Sequence, residues 1–367
     1  MKNFIPSWTY KYDILKNRDE YLDIVNKVFD SGRLLFGEQL ETLQKNFANY
    51  IGTKYAVCCD NATNGIFLSL KSLGISSGDF VVTVPNTAIP TVSAIKQAGA
   101  IPRFVDVDKY ALLDPTKLEA VLDSKVKAII PVHLYGYPCD MKNICRIANQ
   151  YKIPVIEDCS QAHGASINSQ KVGSFGDLSV FSFYPTKSLG AFGDAGIICS
   201  NKLEVYEKLI KLRFYGIEKN YIADIDGYNS RIDEIQAGFL NLKLERLDQN
   251  IKHRNKIRNL YKKGINNEKL KLLQEPENSL ISNYLIPFLY DGDRDLFQEI
   301  LLEKGIGTNI SYRTPIYSMP AYKDLGFSKK DFPNCEKFCK TNISLPIFDY
   351  FPIELAYKVI DIVNNIN

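Results

Sequence analysis

No C-x-x-C pair occurs in the 367-residue chain, and its histidines, His133, His163 and His253, follow no metal-ligand spacing, so no metal site is expected. The eight cysteines lie mostly in apolar runs such as Tyr55–Cys59 and Gly196–Ser200, as reduced thiols used as small hydrophobes do. A chain this long buries roughly three quarters of its unfolded surface and needs no disulfide framework. Neither sign of charge dominates: 45 Lys and Arg face 42 Asp and Glu, giving +3, and the lysine pairs Lys262-Lys263 and Lys329-Lys330 are short and interspersed with acids. Neither a basic field for nucleic acid nor an acidic tail results. No apolar run approaches the ~20 residues of a membrane span, and the opening MKNFIPSWTYKYD has no signal-peptide core. A soluble cytoplasmic protein with no nucleic-acid or membrane partner is expected. No G-x-G-x-x-G follows a strand, which argues against a dinucleotide site, and no internal repeat suggests a solenoid.

What the sequence does contain is alternation. Leu22, Val25 and Phe29, then Leu40, Leu43, Phe47 and Tyr50, recur at helical spacing and stop at Gly32 and Gly52, so two helices precede the first strand, Tyr55–Cys59. Strands at 81–84, 101–107, 127–132, 154–158, 178–183 and 196–200 then alternate with helix-length segments, including helices after Pro90, Asp114-Pro115 and Asp140. Strands apolar on both faces and separated by helices describe an α/β protein with a mainly parallel sheet. One long helix is expected over 232–263 as a connector, followed by a smaller α+β unit. The division is a large α/β domain over 1–250 and a small domain over 251–367.

In such a sheet, ligands gather where strands end. After the first strand, Asp60-Asn61-Ala62-Thr63-Asn64-Gly65 opens a helix and is either an ordinary N-cap or a seat for phosphate. Asp158 ends an apolar strand; it is either a cap or structural ion pair, or the partner of a protonated ring nitrogen. Lys187 lies in a glycine-spaced loop between two apolar strands, where an amine is poised for covalent chemistry with a carbonyl. Phosphate seat, acid and lysine together match what pyridoxal phosphate requires.

The motifs EDCSQAHGA (157–165), KVGSFGDLSVFSFYPTKSLGAFGDAG (171–196) and GYNSRIDEIQA (227–237) resemble the DegT/StrS-type nucleotide-sugar aminotransferases. The likeness runs from about Phe36 to SLPIFDYFP (344–352) and implies the type I, aspartate-aminotransferase fold. It also implies that Lys187 binds pyridoxal 5'-phosphate covalently, Asp158 partners the pyridine nitrogen and Gln161 hydrogen-bonds the ring hydroxyl. Ala62, Thr63 and Ser182 match phosphate-holding positions, and Asn229 matches an asparagine reaching the phosphate from a neighbouring subunit, which implies a homodimer with shared sites. Lys187 stands where dehydratase relatives have histidine, favouring transamination.

VPNTAIPTVSAI (84–95), PVHLYGYPCDM (131–141) and SYRTPIYSMPAY (311–322) look most like the enzymes acting on dTDP-linked 3-oxo-6-deoxyhexoses. The resemblance then implies L-glutamate as donor, a dTDP-3-amino-3,6-dideoxyhexose as product, and a place in surface-glycan, lipopolysaccharide or antibiotic sugar synthesis. Tyr184, Lys219, Ser311 and Tyr312 match substrate-side positions. Ser311 replaces the histidine usual in those relatives, and Ala88 replaces an aromatic that covers the cofactor ring in many 4-oxo-sugar enzymes. A 4-aminotransferase acting on a UDP-, GDP- or dTDP-4-oxo sugar is the alternative. A non-catalytic nucleotide-sugar sensor is a further one, but it has no use for Lys187, Asp158 and Gln161 together.

Overall fold

A computed structural model describes residues 4–366. The chain opens with helices α1 (Lys11–Ser31) and α2 (Glu38–Ile51), followed by strand β1 (Tyr55–Cys59). Strands and helices then alternate as α3 (Ala62–Ser72), β2 (Phe80–Thr83), α4 (Ile89–Gln97), β3 (Ile101–Phe104), β4 (Val126–Ile129), α5 (Met141–Tyr151) and β5 (Ile156–Asp158). After β5 come β6 (Leu178–Ser182), β7 (Gly196–Ser200), α6 (Leu203–Leu212), α7 (Glu234–Leu244) and α8 (Leu247–Gly264). The last part holds β8 (Leu270–Leu272), β9 (Ile286–Tyr290), α9 (Arg294–Glu303), α10 (Pro333–Thr341), β10 (Asn342–Leu345) and α11 (Ile353–Asn364).

Strands β1-β7-β6-β5 form one sheet and β3-β2-β4 another, joined by parallel bridges between Ile129 and Val155 and between Val132 and Asp158. All run the same way except β7, which is antiparallel to β1 and β6. Both faces are covered, as the continuous apolar strands require. Cys58 and Phe181 point to the side of α2 and α7, while Val57, Cys59 and Val180 point to the side of α3, α4 and α6. The C-terminal part packs a separate antiparallel sheet, β8-β9-β10, against α8, α9 and α11, and Ile5 from the N-terminus joins this core.

Three sequence expectations change. The helix expected after Asp114 is a pair of 3₁₀ turns, Pro115–Lys117 and Glu119–Val121: the Asp114 carboxylate takes the Thr116 N–H at 3.0 Å and Lys117 Nζ is drawn to Asp106 at 2.9 Å. The long connector is two helices broken at Glu245-Arg246, where Arg246 turns to Asn17 at 3.0 Å and pairs with Glu20 on α1. On α1 itself Leu22 and Phe29 face outward, and the buried positions are Asp13, Asn17, Tyr21 and Val28.

Candidate active site

The cleft forms where β1, β5 and β6 end. At the first end, β7 passes beneath the start of α3: a Cβ on Gly196 would lie 2.7 Å from the Asn61 carbonyl carbon and 2.9 Å from Ala62 N, so only glycine fits. Gly65 likewise lets α3 sit on β6, since a Cβ there would meet Val180 at 2.7 Å. Asn61 caps the helix: its side chain accepts the Asn64 N–H at 2.9 Å and its carbonyl accepts the Gly65 N–H at 2.9 Å. The amides of Ala62 and Thr63 are thereby left without helix partners at the positive end of the dipole. Ser182, ending β6, lines the same cleft.

Asp158 ends β5 and is buried. Its Oδ2 accepts the Thr91 hydroxyl at 2.8 Å and its Oδ1 the Ser160 N–H at 3.1 Å; Thr91 is in turn 3.0 Å from the Thr87 hydroxyl. Thr91 lies within the stretch 84–95, where nothing local in the sequence marks it as a partner of Asp158. No cation pairs with Asp158, which separates it from a structural ion pair among the described residues.

Gln161 follows in the loop. Its Oε1 accepts the Tyr135 N–H at 2.7 Å, and its Nε2 donates to the Tyr312 hydroxyl at 2.6 Å. Burial is the main cause that raises the Tyr312 phenol above its ordinary pKa, so its proton is held. Ser311 turns its hydroxyl to Asn309 Oδ1 at 2.8 Å and presents its carbonyl to the Tyr135 hydroxyl at 3.2 Å.

Lys187 reaches the same cleft from the loop after β6. Its Nζ lies 4.6 Å from the centroid of the Tyr284 ring, a distant partner with no local signal in the sequence, and the Tyr284 hydroxyl is 3.1 Å from Thr186 Oγ1. The loop beyond the lysine is pinned by three side chains: Lys243 donates to the Gly190 carbonyl at 2.9 Å, Tyr10 to the Ala191 carbonyl, and Gln236 accepts the Phe192 N–H at 2.8 Å. Lys243 is itself held 3.0 Å from Asp13, which explains the inward carboxylate on α1. The resulting cleft of about 590 Å³ is lined by Ala62, Thr63, Asp158, Gln161, Ser182 and Lys187 among others. Tyr184 also lines it and is half exposed.

Ser311 and Tyr312 do not line the cleft themselves and meet it through the Tyr135 and Gln161 hydrogen bonds. Two further expected residues stand apart. Asn229 is exposed, bridges Phe214 and does not line the cleft of its own chain. Lys219 closes the short strand Ile217–Lys219, and its side chain lies outside the described part of the structure.

A carboxylate, a lysine and a helix N-terminus converging at the ends of a mainly parallel sheet define a pyridoxal-phosphate enzyme of the type I fold. The model of the DegT/DnrJ/EryC1/StrS aminotransferase family matches residues 16–364, and the chain belongs to that family. It is 38% identical to the dTDP-3-amino-3,4,6-trideoxy-alpha-D-glucose transaminase of Micromonospora megalomicea subsp. nigra, with 98% of each chain covered. It is 37% identical to the dTDP-3-amino-3,6-dideoxy-alpha-D-galactopyranose transaminase of Aneurinibacillus thermoaerophilus, over 98% of this chain and 99% of the other. Among solved structures, S. venezuelae DesV in complex with a ketimine intermediate superposes with a TM-score of 0.95 at 32% identity, covering 98% of both chains. This protein is an aminotransferase that uses pyridoxal phosphate. The residues present fit that cofactor: unpartnered amides for an anion, a buried acid without a cation, and a lysine at the same cleft.

Proposed function

We propose that this enzyme transfers the amino group of L-glutamate to the keto carbon of a dTDP-linked 3-oxo-6-deoxyhexose, giving a dTDP-3-amino-3,6-dideoxyhexose. The observation that carries the reaction type is the meeting of Lys187, Asp158, Gln161 and the α3 N-terminus in one cleft. The substrate class rests on the two transaminases of 3-amino sugars that match nearly the whole chain.

Pyridoxal phosphate, when bound, supplies an electron-withdrawing ring that stabilises negative charge on the carbon gaining or losing the amino group. Asp158 holds the proton on the ring nitrogen, and Thr91 keeps its carboxylate oriented. An amide nitrogen carries two hydrogens; Gln161 spends one on Tyr312 and has the other for the ring oxygen. The Ala62 and Thr63 amides and the Ser182 hydroxyl hold the phosphate. Lys187 Nζ would hold the cofactor covalently and would be the base that moves the proton at the reacting carbon. On the sugar side we place Tyr184, Ser311, Tyr312 and Lys219. The phosphate seat and the lysine belong to a large domain over 1–250, and Tyr312 to a small domain over 251–367.

We read the active unit as a homodimer with shared sites. Leu15, Leu22 and Phe29 repeat every seventh residue on the outer face of α1, and Phe29 is 62% exposed. Leu34 and Leu35 extend this surface, and Phe36 stacks edge-on against Phe214, which bridges Asn229. Asn229 thus stands beside exposed apolar surface, where a second copy would receive it. The buried thiols suit a reducing cytoplasm, and no helix of the described residues is long and apolar enough to cross a membrane.

The test is direct. Purified protein should be yellow, lose its colour with L-glutamate and regain it with a dTDP-3-oxo-6-deoxyhexose; turnover of 4-oxo sugars alone would move the enzyme to another substrate class. Borohydride reduction should fix the cofactor on the peptide containing Tyr184–Leu189. Mixing Lys187→Ala with Asn229→Asp subunits should restore activity, because heterodimers then contain one site without either defect. A fully active monomer in sedimentation would exclude the shared site.

A further inference from the structure

Gln161 is held by a closed circuit that joins the cleft to the C-terminal part of the chain. The Tyr135 N–H donates to Gln161 Oε1 at 2.7 Å, Gln161 Nε2 donates to the Tyr312 hydroxyl at 2.6 Å, and the Tyr135 hydroxyl donates to the Ser311 carbonyl at 3.2 Å. Ser311 and Tyr312 are neighbours in the chain, so the ring is complete. Its two tyrosines adopt left-handed backbone, φ 59° at Tyr135 and φ 62° at Tyr312. Bulky residues seldom take this conformation, and it persists where surrounding contacts over-determine it, as they do at functional sites. The rings lie 6.2 Å apart, which fills the space inside the circuit.

We propose that Tyr312 is a positioning residue for the cofactor ring, acting through Gln161, so that the loop carrying the sugar-side residues and the amide facing the cofactor are set as one unit. This rests on the cofactor site described above. A primary amide can rotate about its terminal bond and exchange its oxygen for its nitrogen. Tyr135 N–H admits only the oxygen on one side, and Tyr312, accepting a hydrogen bond, favours the nitrogen on the other. The second Nε2 hydrogen is thereby fixed in direction. Ser311 enters by its main chain, so the circuit does not depend on its side chain, which turns to Asn309. Movement of the 309–313 loop when a sugar nucleotide enters would be felt at Gln161 first.

The test uses holoenzymes loaded with pyridoxal phosphate. In Tyr312→Phe the visible band of the bound cofactor should change the midpoint of its pH titration, and the cofactor dissociation constant should rise roughly 2- to 10-fold, the scale of one hydrogen bond. Both changes should vanish when Tyr312→Phe is made in a Gln161→Ala background, since a residue acting through another has no effect once that other is gone. Tyr135→Phe, which cuts the circuit at the Ser311 carbonyl, should shift the same readouts in the same direction by less, and it serves if Tyr312→Phe loads poorly. Undiminished shifts in the Gln161→Ala background would overturn the proposal. So would an unchanged spectrum with only the KM for the sugar nucleotide raised, which would make Tyr312 a plain substrate contact. A wild-type protein with no cofactor at Lys187 would instead overturn the site itself.

Discussion

Glu157 and Asp158 are adjacent on β5, both carboxylates and both buried, yet the fold treats them in opposite ways. Strand alternation sends them to opposite faces. Glu157 is sealed: it accepts N–H groups of Gly173, Phe175 and Gly176, each at 2.8 Å, and faces His133 Nε2 at 3.0 Å. Because His133 Nδ1 accepts the Cys139 N–H, the ring proton lies on Nε2 and points at Glu157. This His133, Glu157 and Cys159 neighbourhood has the composition of a metal site, but its imidazole and carboxylate are already spent on one another and on backbone. Asp158 receives only a hydroxyl and one amide, and its remaining capacity opens on the cleft. A buried polar group with all its bonds made is structure; one with bonds to spare is where chemistry can enter.

Substitution should separate the two roles. The largest effect is expected at the centre of the cleft: Lys187→Ala should fold, lose the visible band and complete no turnover. Asp158→Asn should keep its melting temperature within a few degrees and lose on the order of 10²–10³ in kcat, the scale for removing one well-placed electrostatic group. Glu157→Gln should show the reverse. Its amide must turn one N–H₂ group toward backbone donors, which costs about 2–3 kcal/mol of stability. Calorimetry and steady-state kinetics on the same preparations decide the matter. A Glu157→Gln enzyme of normal stability and reduced kcat would collapse the distinction.

How much of this is legible in the sequence depends on the range of the contact. Tyr55–Cys59 and Gly196–Ser200 match the observed strands at both ends, because short apolar runs bounded by turns report themselves. The capping of α3 by Asn61 and the place of Asp158 at a strand end are likewise local. Thr91, Tyr135, Tyr284 and Lys243 were not legible as site residues, since each acts across a wide separation in sequence and resembles an ordinary polar or aromatic position. The break at Glu245-Arg246 was hidden for the same reason: it depends on Asn17 and Glu20. Outward apolar residues on α1 mislead any reading that assigns hydrophobes to the core of one chain.

His163 offers the smallest and most discriminating test, because it fits neither side of the comparison. It is fully buried between Phe181 and Phe183, with ring centroids 5.5 and 5.8 Å away, and neither ring nitrogen has a well-formed hydrogen bond. Burial, reinforced by the charge of Lys187, pushes its pKa down to about 3, and the Ser182 backbone offsets only part of this. The unfolded chain titrates near 6.5 and so takes up the proton first on acidification. Stability from a neutral His163 is therefore complete above about pH 6.5 and falls as the pH drops toward 3, by about 2 kcal/mol at pH 5. His163→Leu, of similar volume and without a titrating group, should lose less stability than the wild type between pH 7.5 and 5.0 in paired denaturant titrations. Adding Lys187→Ala to the wild-type histidine should shrink the acid loss, since one cause of the lowered pKa is then gone. Parallel losses in wild type and His163→Leu would mean that the imidazole takes a proton inside the fold, and His163 would join Asp158 among the groups with bonds to spare.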